Sequence, residues 1–483
     1  MISNNTPLIK DLCYIDGLWS SANDGRTFDV IDPSTGARLA SVPDMGETET
    51  EAAIAAAGQA FRLWSARTAK DRSIVLRRWY ELILTHSKEL AALMTAEQGK
   101  PIAESTAEVA YAASFVEWFA EEGKRAYGDV IPTPQLDKRI VVIKQPVGVV
   151  ACITPWNFPA AMITRKAATA LAVGCTVVLK PAEQTPLTAL ALASLAEQAG
   201  VPPGVLNVIT GDAVRIGKVL TASPIVRKVS FTGSTEVGRI LMSQCAPTIK
   251  KISLELGGNA PFIVFEDADI DAAVEGAMVA KYRNTGQTCV CSNRFYIHER
   301  VYEEFSQLFT ARVQKLKVAD GREPGAEQGP LIDRAALDKV LAHIEDASRK
   351  GAKILAGGTV HPLGGTFFSP TVMANVTNDM LCTQEETFGP VSSLMKFSSE
   401  DQVIDLANDT DTGLAAYFYT KDIARAWRVS EKLEYGIVAM NTGLFSNEVA
   451  PFGGVKQSGL GREGSKYGID EFLEVKYLAF GGL

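Results

Sequence analysis

Hydrophobic residues in the first part of the chain recur at the spacing of α-helices. Apolar side chains return every three or four positions in ETEAAIAAAGQAFRLW and in DRSIVLRRWYELILTHSKELAALMTAEQG, which gives each segment one apolar face. The region from about 50 to 126 is therefore predicted to be helical. Gly99 and Pro101 follow the second segment and are predicted to end it, because glycine and proline terminate helices.

After residue 146 the pattern changes to short β-rich runs that end in glycine or proline. These runs are GVVACITP, TVVLKP, LNVITG, KVSFTG and KKISLELGG, and helical stretches such as TALALASLAEQAG separate the earlier ones. Strands that alternate with helices are typical of βαβ units and a parallel sheet. Ligands bind beyond the carboxyl ends of such strands, so the residues after each run are the candidates for a binding site.

Two further regions complete the predicted α/β organisation. A second α/β region, from about 257 to 446, contains the helical VYEEFSQLFTARVQKL and the strand-like RFYIH and AKILAGG. The segment 127–146 and the tail EFLEVKYLAF have the pattern of extended strands. Either of these two segments could pair with a sheet edge of another chain, so a homo-oligomer is expected.

Composition and charge narrow the functional classes. The 483 residues are 46% hydrophobic and 22% charged, as in an ordinary soluble globular protein of two to three domains. The net charge of −8 gives no support to nucleic-acid or membrane binding. The longest uncharged apolar run has thirteen residues, between Lys166 and Lys180, whereas a membrane span needs about 20. With no secretory or transit pattern at the N-terminus, a cytoplasmic protein is predicted.

The cysteines favour neither disulfides nor a metal site. Seven cysteines and four histidines are sparse for this length, which argues against a secreted disulfide framework. Cys289 and Cys291 lie in GQTCVCSNR, with no histidine nearby and no second cysteine pair. A structural zinc site needs four ligands at close spacing, so no metal is predicted. Two residues apart, the pair would make a strained disulfide loop.

Polar residues at the predicted strand ends allow more than one interpretation. Lys180 and Glu183 follow TVVLKP; the carboxylate could hold a ribose diol, which favours NAD over its 2′-phosphorylated form, or the two could form a surface ion pair. Gly233, Ser234 and Gly238 follow KVSFTG and suit a phosphate at a helix N-terminus or a plain βα turn. Glu255 before two glycines could be a base or a solvated acid.

The motifs taken together resemble the NAD(P)-dependent aldehyde dehydrogenase superfamily. PWNFP, KPAEQTP, FTGSTEVG, LELGG, GQTCVCSNR, EETFGP and PFGGVKQSGLGREG occur in the family's order between residues 155 and 464. RNTGQTCVCSNR, SNEVAPFGG and GSKYGIDEFLE are similar to the succinate-semialdehyde dehydrogenase group.

This resemblance implies a division of the chain into functional parts. A Rossmann-like, parallel-sheet NAD(P)-binding domain would comprise 1–126 and 147–256, and 447–467 would return to it. A second α/β domain, 257–446, would carry the nucleophile. The strands in 127–146 and 468–483 would form a small extended oligomerisation element, in a dimer or tetramer.

The resemblance also implies roles for single residues. Cys289 would be the nucleophile, Glu255 the general base, and Asn157 an oxyanion donor. The residues implied to bind the cofactor are Thr154, Pro155, Trp156, Lys180, Glu183, Gly233, Ser234, Gly238, Leu256, Glu386 and Phe388. Arg165, Arg283 and Ser446 would hold the distal carboxylate of a small semialdehyde.

The chemistry requires these residue types. A thiolate attacks the aldehyde, donors stabilise the oxyanion of the thiohemiacetal, the cofactor takes the hydride, and a base activates the water that hydrolyses the thioester. Glu183 favours NAD as the cofactor, and Lys180 leaves NADP possible. A bidentate guanidinium suits a distal carboxylate, although Arg165 and Arg283 could instead form structural salt bridges.

The expected reaction is the oxidation of succinate semialdehyde to succinate, and breakdown of 4-aminobutyrate would supply that substrate. Glutarate semialdehyde is one methylene longer, a difference that a pocket discriminates by only about 1–3 kcal/mol. The sequence also allows a broad-range aldehyde dehydrogenase or a catalytically silent cofactor-binding protein. Cys291 could resolve an oxidised Cys289 as a disulfide or be a small buried side chain.

Overall fold

The computed structural model describes residue 8 and residues 10–483, and the elements below refer to them. The α-helices are α1 (Glu47–Ser65), α2 (Ala69–Thr85), α3 (Ser87–Gln98), α4 (Ile102–Glu122), α5 (Ala161–Val173), α6 (Pro186–Gln198), α7 (Ala213–Ala222), α8 (Thr235–Cys245), α9 (Ile270–Tyr282), α10 (Tyr302–Val313), α11 (Arg334–Arg349), α12 (Leu381–Gln384), α13 (Glu400–Asn408), α14 (Ile423–Lys432) and α15 (Ser465–Asp470).

The strands are β1 (Cys13–Ile15), β2 (Leu18–Ser20), β3 (Thr27–Ile31), β4 (Arg38–Pro43), β5 (Asp129–Ile131), β6 (Lys138–Pro146), β7 (Val149–Ile153), β8 (Thr176–Lys180), β9 (Leu206–Val208), β10 (Val226–Thr232), β11 (Lys251–Glu255), β12 (Ala260–Val264), β13 (Ser292–His298), β14 (Lys353–Ala356), β15 (Thr371–Ala374), β16 (Val391–Phe397), β17 (Thr412–Gly413), β18 (Ala415–Tyr419), β19 (Ile437–Met440), β20 (Val455–Lys456), β21 (Gly459–Leu460) and β22 (Leu473–Gly481).

The helical region predicted near the N-terminus contains four helices, α1 to α4. The second predicted helical segment is two helices rather than one, because the chain leaves helical geometry at His86, where ψ is 21°. Thr85, His86 and Ser87 all have low helix propensity, which explains a break that the apolar spacing does not reveal. α3 ends at Gly99 as predicted, and the φ of +92° there is a conformation that glycine adopts without strain.

The first large sheet has the order β2-β1-β9-β8-β7-β10-β11-β21. Its five central strands, β9, β8, β7, β10 and β11, are parallel, as the alternation of strands and helices predicts. The outer strands β1 and β21 pair antiparallel with β9 and β11. The carboxyl ends of the central strands therefore lie along one edge of the sheet, where ligands bind in such folds.

The second large sheet has the order β14-β15-β16-β13-β12-β18-β19. Only β14 is antiparallel to its neighbour, so this part of the chain is also α/β, as predicted. A third sheet, β22-β6-β5, is antiparallel. In it the extended tail pairs with the extended segment of the same chain, from Leu473 opposite Pro146 to Gly481 opposite Lys138.

Burial explains the uncharged run of the sequence. The run 167–179 covers the second half of α5 and most of β8, and every residue of both elements is buried. A charge in a helix or strand that is buried on all sides requires a partner of opposite charge, as Arg165, Lys166 and Lys180 have near the ends of the run. Within the described residues, no helix is long and apolar enough to cross a membrane.

Candidate active site

Cys289 lies in the loop between α9 and β13, and a tight turn at 283–286 precedes it. Asn284 and Thr285 in this turn have left-handed φ values of 51° and 57°. The Asn284 side chain donates hydrogen bonds to the carbonyl oxygens of Asn157, at 2.9 Å, and Gln287, at 3.2 Å. The loop that carries Cys289 is thereby tied to the loop after β7, which carries Asn157.

Asn157 is buried and held from two sides. Its side-chain nitrogen donates to the Gln287 carbonyl at 3.1 Å, and its carbonyl oxygen accepts from Nζ of Lys100 at 2.7 Å. An amide nitrogen carries two N–H groups, so one remains without a hydrogen-bond acceptor among the described residues. Lys100 was not predicted from the sequence, because its only local signal is its position between Gly99 and Pro101.

The thiol of Cys289 resists ionisation in this arrangement. Burial raises its pKa to about 12, the Glu386 and Glu255 carboxylates act in the same direction, and Arg165 and Arg283 oppose them. A thiol with this pKa is protonated at neutral pH. Formation of the nucleophilic thiolate therefore requires a proton acceptor or a change in the surrounding charges.

Glu255 is the last residue of β11 and belongs to a buried charge cluster. Burial and the neighbouring Glu463 carboxylate raise the pKa of Glu255 well above its usual value, although Arg165 and Lys166 oppose this shift. The Oε2 atom of Glu255 is buried without a hydrogen-bond partner. A carboxylate with a raised pKa and a free oxygen has the properties of a general base.

Glu463 is a member of this cluster that the sequence did not predict. Burial opposes its ionisation, but Lys166 and Arg165 outweigh burial and lower its pKa. Lys166 donates a hydrogen bond to Oε1 of Glu463. Glu463 lies in the quoted GLGREG motif, but only the return of that segment to β11 through β21 brings it beside Glu255.

The two predicted substrate arginines have different environments. Arg165 is 1% exposed, its Nε lies 2.9 Å from Oε2 of Glu463 without hydrogen-bond alignment, and its guanidinium lies 4.1 Å from the centre of the Phe452 ring. This ion pair agrees with the structural interpretation of Arg165. Arg283 is half-buried, and its guanidinium contacts the Phe158 ring at 5.3 Å. Within the described residues, its side chain forms no salt bridge or hydrogen bond.

A cavity of about 210 Å³ brings Cys289 together with the predicted substrate residues. Arg165, Arg283 and Ser446 line it with Cys289. Apolar and aromatic side chains form much of the remaining wall, and these are Tyr111, Phe158, Met162, Val290, Leu444 and Phe452. Tyr111 and Met162 lie on helices α4 and α5, whereas the binding residues predicted from the sheet are those that follow its strands. Phe158 and Phe452 lie in PWNFP and PFGG, although no role was assigned to them.

The candidate nicotinamide side of Cys289 is formed by two aromatic residues and a carboxylate. Trp156 and Phe388 pack edge-to-face, with ring centres 5.6 Å apart. Glu386 accepts a hydrogen bond from the backbone N–H of Gly258 at 3.1 Å. Burial raises the pKa of Glu386 to about 7, although this N–H, Lys339 and Lys281 oppose the shift. Glu386 thus acts in two ways here, as a hydrogen-bond acceptor and as a charge that disfavours the thiolate.

The other predicted cofactor residues follow the ends of the central strands. Lys180 and Glu183 form an ion pair of 2.7 Å, and Glu183 also accepts from the Ala213 N–H at 2.9 Å. Ser234 caps α8 by accepting from the Val237 N–H at 3.3 Å. These contacts agree with a plain ion pair and a plain turn. They also agree with a cofactor site, in which bound cofactor would replace some of these hydrogen bonds.

Gly238 and Leu256 are in contact with each other. A Cβ at position 238 would lie 2.5 Å from Cδ2 of Leu256, so glycine lets α8 approach the segment after β11. Gly233 joins the same elements, because its N–H donates to the Glu255 carbonyl at 3.1 Å. These contacts hold the start of α8 and the end of β11 together beside Ser234.

The strand ends also hold polar atoms that fit a ligand. Thr154 precedes Pro155 after β7, and its N–H donates to the Lys180 carbonyl at 3.1 Å. The hydroxyls of Thr154 and of Thr232, at the end of β10, are buried without hydrogen-bond partners. Buried polar groups are nearly always satisfied. The free hydroxyls, the exposed N-terminus of α8 and Glu386 therefore suit a polar dinucleotide along this edge.

Cys291 is buried and points away from solvent. Its thiol donates a hydrogen bond to the Lys281 carbonyl at 2.9 Å, and burial raises its pKa. Both Cys289 and Cys291 are free thiols. This environment agrees with a small buried side chain, and the role of a resolving thiol stays a prediction. In the described part of the chain, no group of three or more His, Cys, Asp or Glu residues could hold a metal ion.

Comparison with known proteins agrees with the motifs and the fold. The sequence profile of the Aldehyde dehydrogenase family matches residues 19–478. A glutarate-semialdehyde dehydrogenase of Pseudomonas aeruginosa is 60% identical, over 99% of both chains. A succinate-semialdehyde dehydrogenase (NADP(+)) of Escherichia coli is 59% identical, again over 99% of both chains. The crystal structure of succinate-semialdehyde dehydrogenase from Burkholderia pseudomallei has a TM-score of 0.98 and 60% identity, over 99% of this chain and 100% of that chain.

Proposed function

The chain belongs to the aldehyde dehydrogenase family, and on that premise we propose that it oxidises succinate semialdehyde to succinate with NAD(P). One observation carries the choice of an aldehyde with a distal carboxylate. Arg283 lines the cavity of Cys289, yet its guanidinium has no anionic partner among the described residues. A cation in a partly apolar pocket favours an anionic ligand, because a charge-assisted hydrogen bond is stronger there than in water.

Arg283 and Ser446 orient the substrate in this proposal. The guanidinium and the Ser446 hydroxyl hold the distal carboxylate, while the short apolar chain lies against Phe158, Leu444 and neighbouring side chains. The aldehyde carbon is thereby directed toward the Cys289 sulfur. Binding energy from the distant carboxylate is used to fix the reacting atoms, which raises the rate of attack.

The first bond forms between the Cys289 sulfur and the aldehyde carbon. The Cys289 thiol releases its proton to water in the cavity, and the thiolate attacks the carbonyl carbon. The carbonyl oxygen becomes the thiohemiacetal oxyanion. The free N–H of the Asn157 amide and the backbone N–H of Cys289 stabilise it, because both donors are fixed before the reaction.

Bound NAD(P) supplies the hydride acceptor for the oxidation. Lys180, Glu183, Ser234 and Glu386 would hold it, with Trp156 and Phe388 on the nicotinamide side. The remaining cofactor contacts are proposed for Thr154, Pro155, Gly233, Gly238 and Leu256.

The thioester on Cys289 is then hydrolysed by water. Glu255, in its ionised form, accepts a proton from the water as the oxygen attacks the thioester carbon, and the sulfur leaves as thiolate. The buried Arg165 and Lys166 charges keep Glu463 ionised, so a proton taken up by this cluster resides on Glu255. The raised pKa makes Glu255 a stronger base than a solvated carboxylate.

Glutarate semialdehyde is the second candidate substrate, since a relative with 60% identity bears that name. The deciding experiment measures kcat/KM for succinate semialdehyde, glutarate semialdehyde and butanal, each with NAD and with NADP. A strong preference for the carboxylated aldehydes supports the proposal, and their ratio names the substrate. Equal values for butanal would make the chain a broad-range aldehyde dehydrogenase.

We also propose NAD as the preferred cofactor, because the Glu183 carboxylate would repel a 2′-phosphate. A relative named for NADP is 59% identical, so the choice depends on Glu183 and its partner Lys180. The β22-β6-β5 sheet exposes Val130, Val475 and Tyr477. These apolar side chains support a homo-oligomer, a dimer or a tetramer, in the cytoplasm.

The predicted division of labour among the segments also stays a proposal. It is supported by the sheet topology, because the first sheet draws its strands from 13–255 and 459–460, and the second draws its strands from 260–440.

A further inference from the structure

Two cavities meet at Glu104 and Arg283. The first is the cavity of about 210 Å³ that contains Cys289. The second, here named the outer cavity, has about 370 Å³ and is lined by residues of α4, α9 and α10 and by the segment 326–328. Among the described residues, only Glu104 and Arg283 line both, so the two cavities adjoin at these two side chains.

The Glu104 carboxylate is fixed beside the base of Arg283. It lies in the first turn of α4, and its Oε2 accepts a hydrogen bond from the N–H of Asn284 at 2.8 Å. Asn284 directly follows Arg283. No nitrogen of Arg283 lies within 4.0 Å of a carboxylate oxygen in the described part of the chain. Glu104 therefore acts on Arg283 through its electric field and leaves the guanidinium open to a ligand.

The other charged groups around Glu104 form ion pairs or hydrogen bonds. Lys100 forms a buried salt bridge of 2.5 Å with Glu108. Across the outer cavity, Arg312 pairs with Glu275 at 2.7 Å, and Glu327 accepts the Lys317 backbone N–H. Within the described residues, the Glu104 carboxyl group and the Arg283 guanidinium remain without salt-bridge partners at the inner wall.

We propose that Glu104 is a specificity-determining residue. Its charge lowers the affinity of Arg283 for the substrate carboxylate. It also disfavours the binding of semialdehydes that are long enough to reach the outer cavity. This inference rests on the proposed function, because it requires a substrate carboxylate at Arg283. A carboxylate that a short chain places at Arg283 is moderately repelled by the Glu104 carboxylate. A longer chain carries its carboxylate past Arg283 and closer to Glu104, where like charges repel more strongly.

The same charge gives the preference a pH dependence. Burial raises the pKa of Glu104 to about 7, although Lys100, the Asn284 N–H and Arg283 lower it and Glu108 acts with burial. Glu104 is neutral below this value and negative above it. The preference for a carboxylated aldehyde over butanal is therefore expected to increase as pH falls from about 8 to about 6.

The test compares wild type with Glu104→Gln. Glutamine keeps an oxygen that can accept from the Asn284 N–H, so the change removes the charge and retains the anchor. We expect KM for succinate semialdehyde to fall by about threefold to tenfold, a larger gain in kcat/KM for the longer adipate semialdehyde, and no change for butanal. Asp271→Asn removes an exposed carboxylate in the first turn of α9 that lines neither cavity. It is the control and should leave these values unchanged.

A second measurement can contradict the inference with wild type alone. The ratio of kcat/KM for succinate semialdehyde to that for butanal cancels the chemistry common to both substrates, so its pH profile reports the groups that face the carboxylate. We expect this ratio to rise toward low pH in wild type and to stay flat in Glu104→Gln. A flat wild-type profile would contradict the inference even if the variant does not fold.

The outcomes separate this inference from the function on which it rests. If wild type prefers succinate semialdehyde over butanal but Glu104→Gln changes neither KM nor chain-length selection, the role of Glu104 is wrong and the proposed function stands. If wild type shows no preference for the carboxylated aldehyde, the proposed function is wrong and this inference is overturned with it.

Discussion

Two parts of the cavity wall around Cys289 differ in how their charges are balanced. On one side, Arg165 and Lys166 are buried and both contact Glu463, and Glu255 completes a cluster of two cations and two carboxyl groups. On the other side, Arg283 has neither a salt bridge nor a hydrogen bond within the described residues. A balanced cluster can hold and transfer a proton, whereas an unbalanced cation attracts an anion from solution.

This difference points to separate roles for the two arginines, which the sequence pattern does not distinguish. Arg165 and Arg283 both flank the reaction centre in sequence, and both were predicted to bind the substrate carboxylate. We propose that Arg283 selects the substrate, while Arg165 chiefly keeps Glu463 ionised. Substitutions of the two arginines, of the neighbouring carboxylates and of Cys289 test this difference.

Replacement of Cys289 should have the largest effect, because both sides act on chemistry at its sulfur. Cys289→Ala should lower turnover by about a thousandfold or more, while NAD(P) still binds. NADH formation and cofactor titration measure the two properties. Cys291→Ala is the matched control and should retain turnover, since its thiol faces the Lys281 carbonyl. Retained activity in Cys289→Ala would remove it as nucleophile.

Replacement of Glu255 should stop the reaction after its first half. Glu255→Gln should leave a burst of one NADH per site and lower the steady-state rate by about 10²-fold or more, because water activation is lost. In wild type, hydrolysis should accelerate as pH rises through the raised pKa of Glu255, where the base becomes ionised. Rapid-mixing kinetics distinguish the two phases, and full steady-state activity in the variant would exclude the role of base.

The paired arginine should matter most for stability. Arg165→Met leaves the Glu463 carboxylate buried with one partner fewer, so we expect unfolding to become easier by about 3–5 kcal/mol. Chemical denaturation measures this change. Arg283→Met should change stability by less than about 1 kcal/mol, because no ion pair is lost. Equal losses in both variants would mean that the two sides do not differ as described.

Replacement of Glu183 should have the smallest effect, because it is remote from Cys289. Glu183→Ser should raise kcat/KM with NADP relative to NAD by about threefold to tenfold, since the charge facing a 2′-phosphate is gone and Lys180 is released. Initial rates with each cofactor measure the ratio. An unchanged ratio would mean that Glu183 does not face the ribose.

Much of the fold could be predicted from local patterns. The parallel strands β7, β8 and β10 were readable because each is a buried β-rich run that ends in glycine or proline. The break at His86 was not, because the apolar face continues through it. Strands β1 and β2 were not predicted either, since segments of three residues are too short to show periodicity.

The site was predictable where its residues lie in strand-end loops and motifs. Cys289, Arg283 and Ser446 were named from sequence, and the fold brings them to one cavity. Asn157 was named as well, and hydrogen bonds tie it to the loop that carries Cys289. Glu104 and Lys100 were missed because they lie on or beside a helix far from Cys289 in sequence. Their contacts with Asn284 and Asn157 exist only in the folded chain.

The most direct test of the central claim is the ratio of kcat/KM for succinate semialdehyde to that for butanal, in wild type and in Arg283→Gln. The unpaired guanidinium predicts a wild-type ratio of about ten or more. It also predicts a ratio near one in the variant, with the butanal rate unchanged. A wild-type ratio near one, or a preference that survives in Arg283→Gln, would contradict the claim that this arginine selects the substrate.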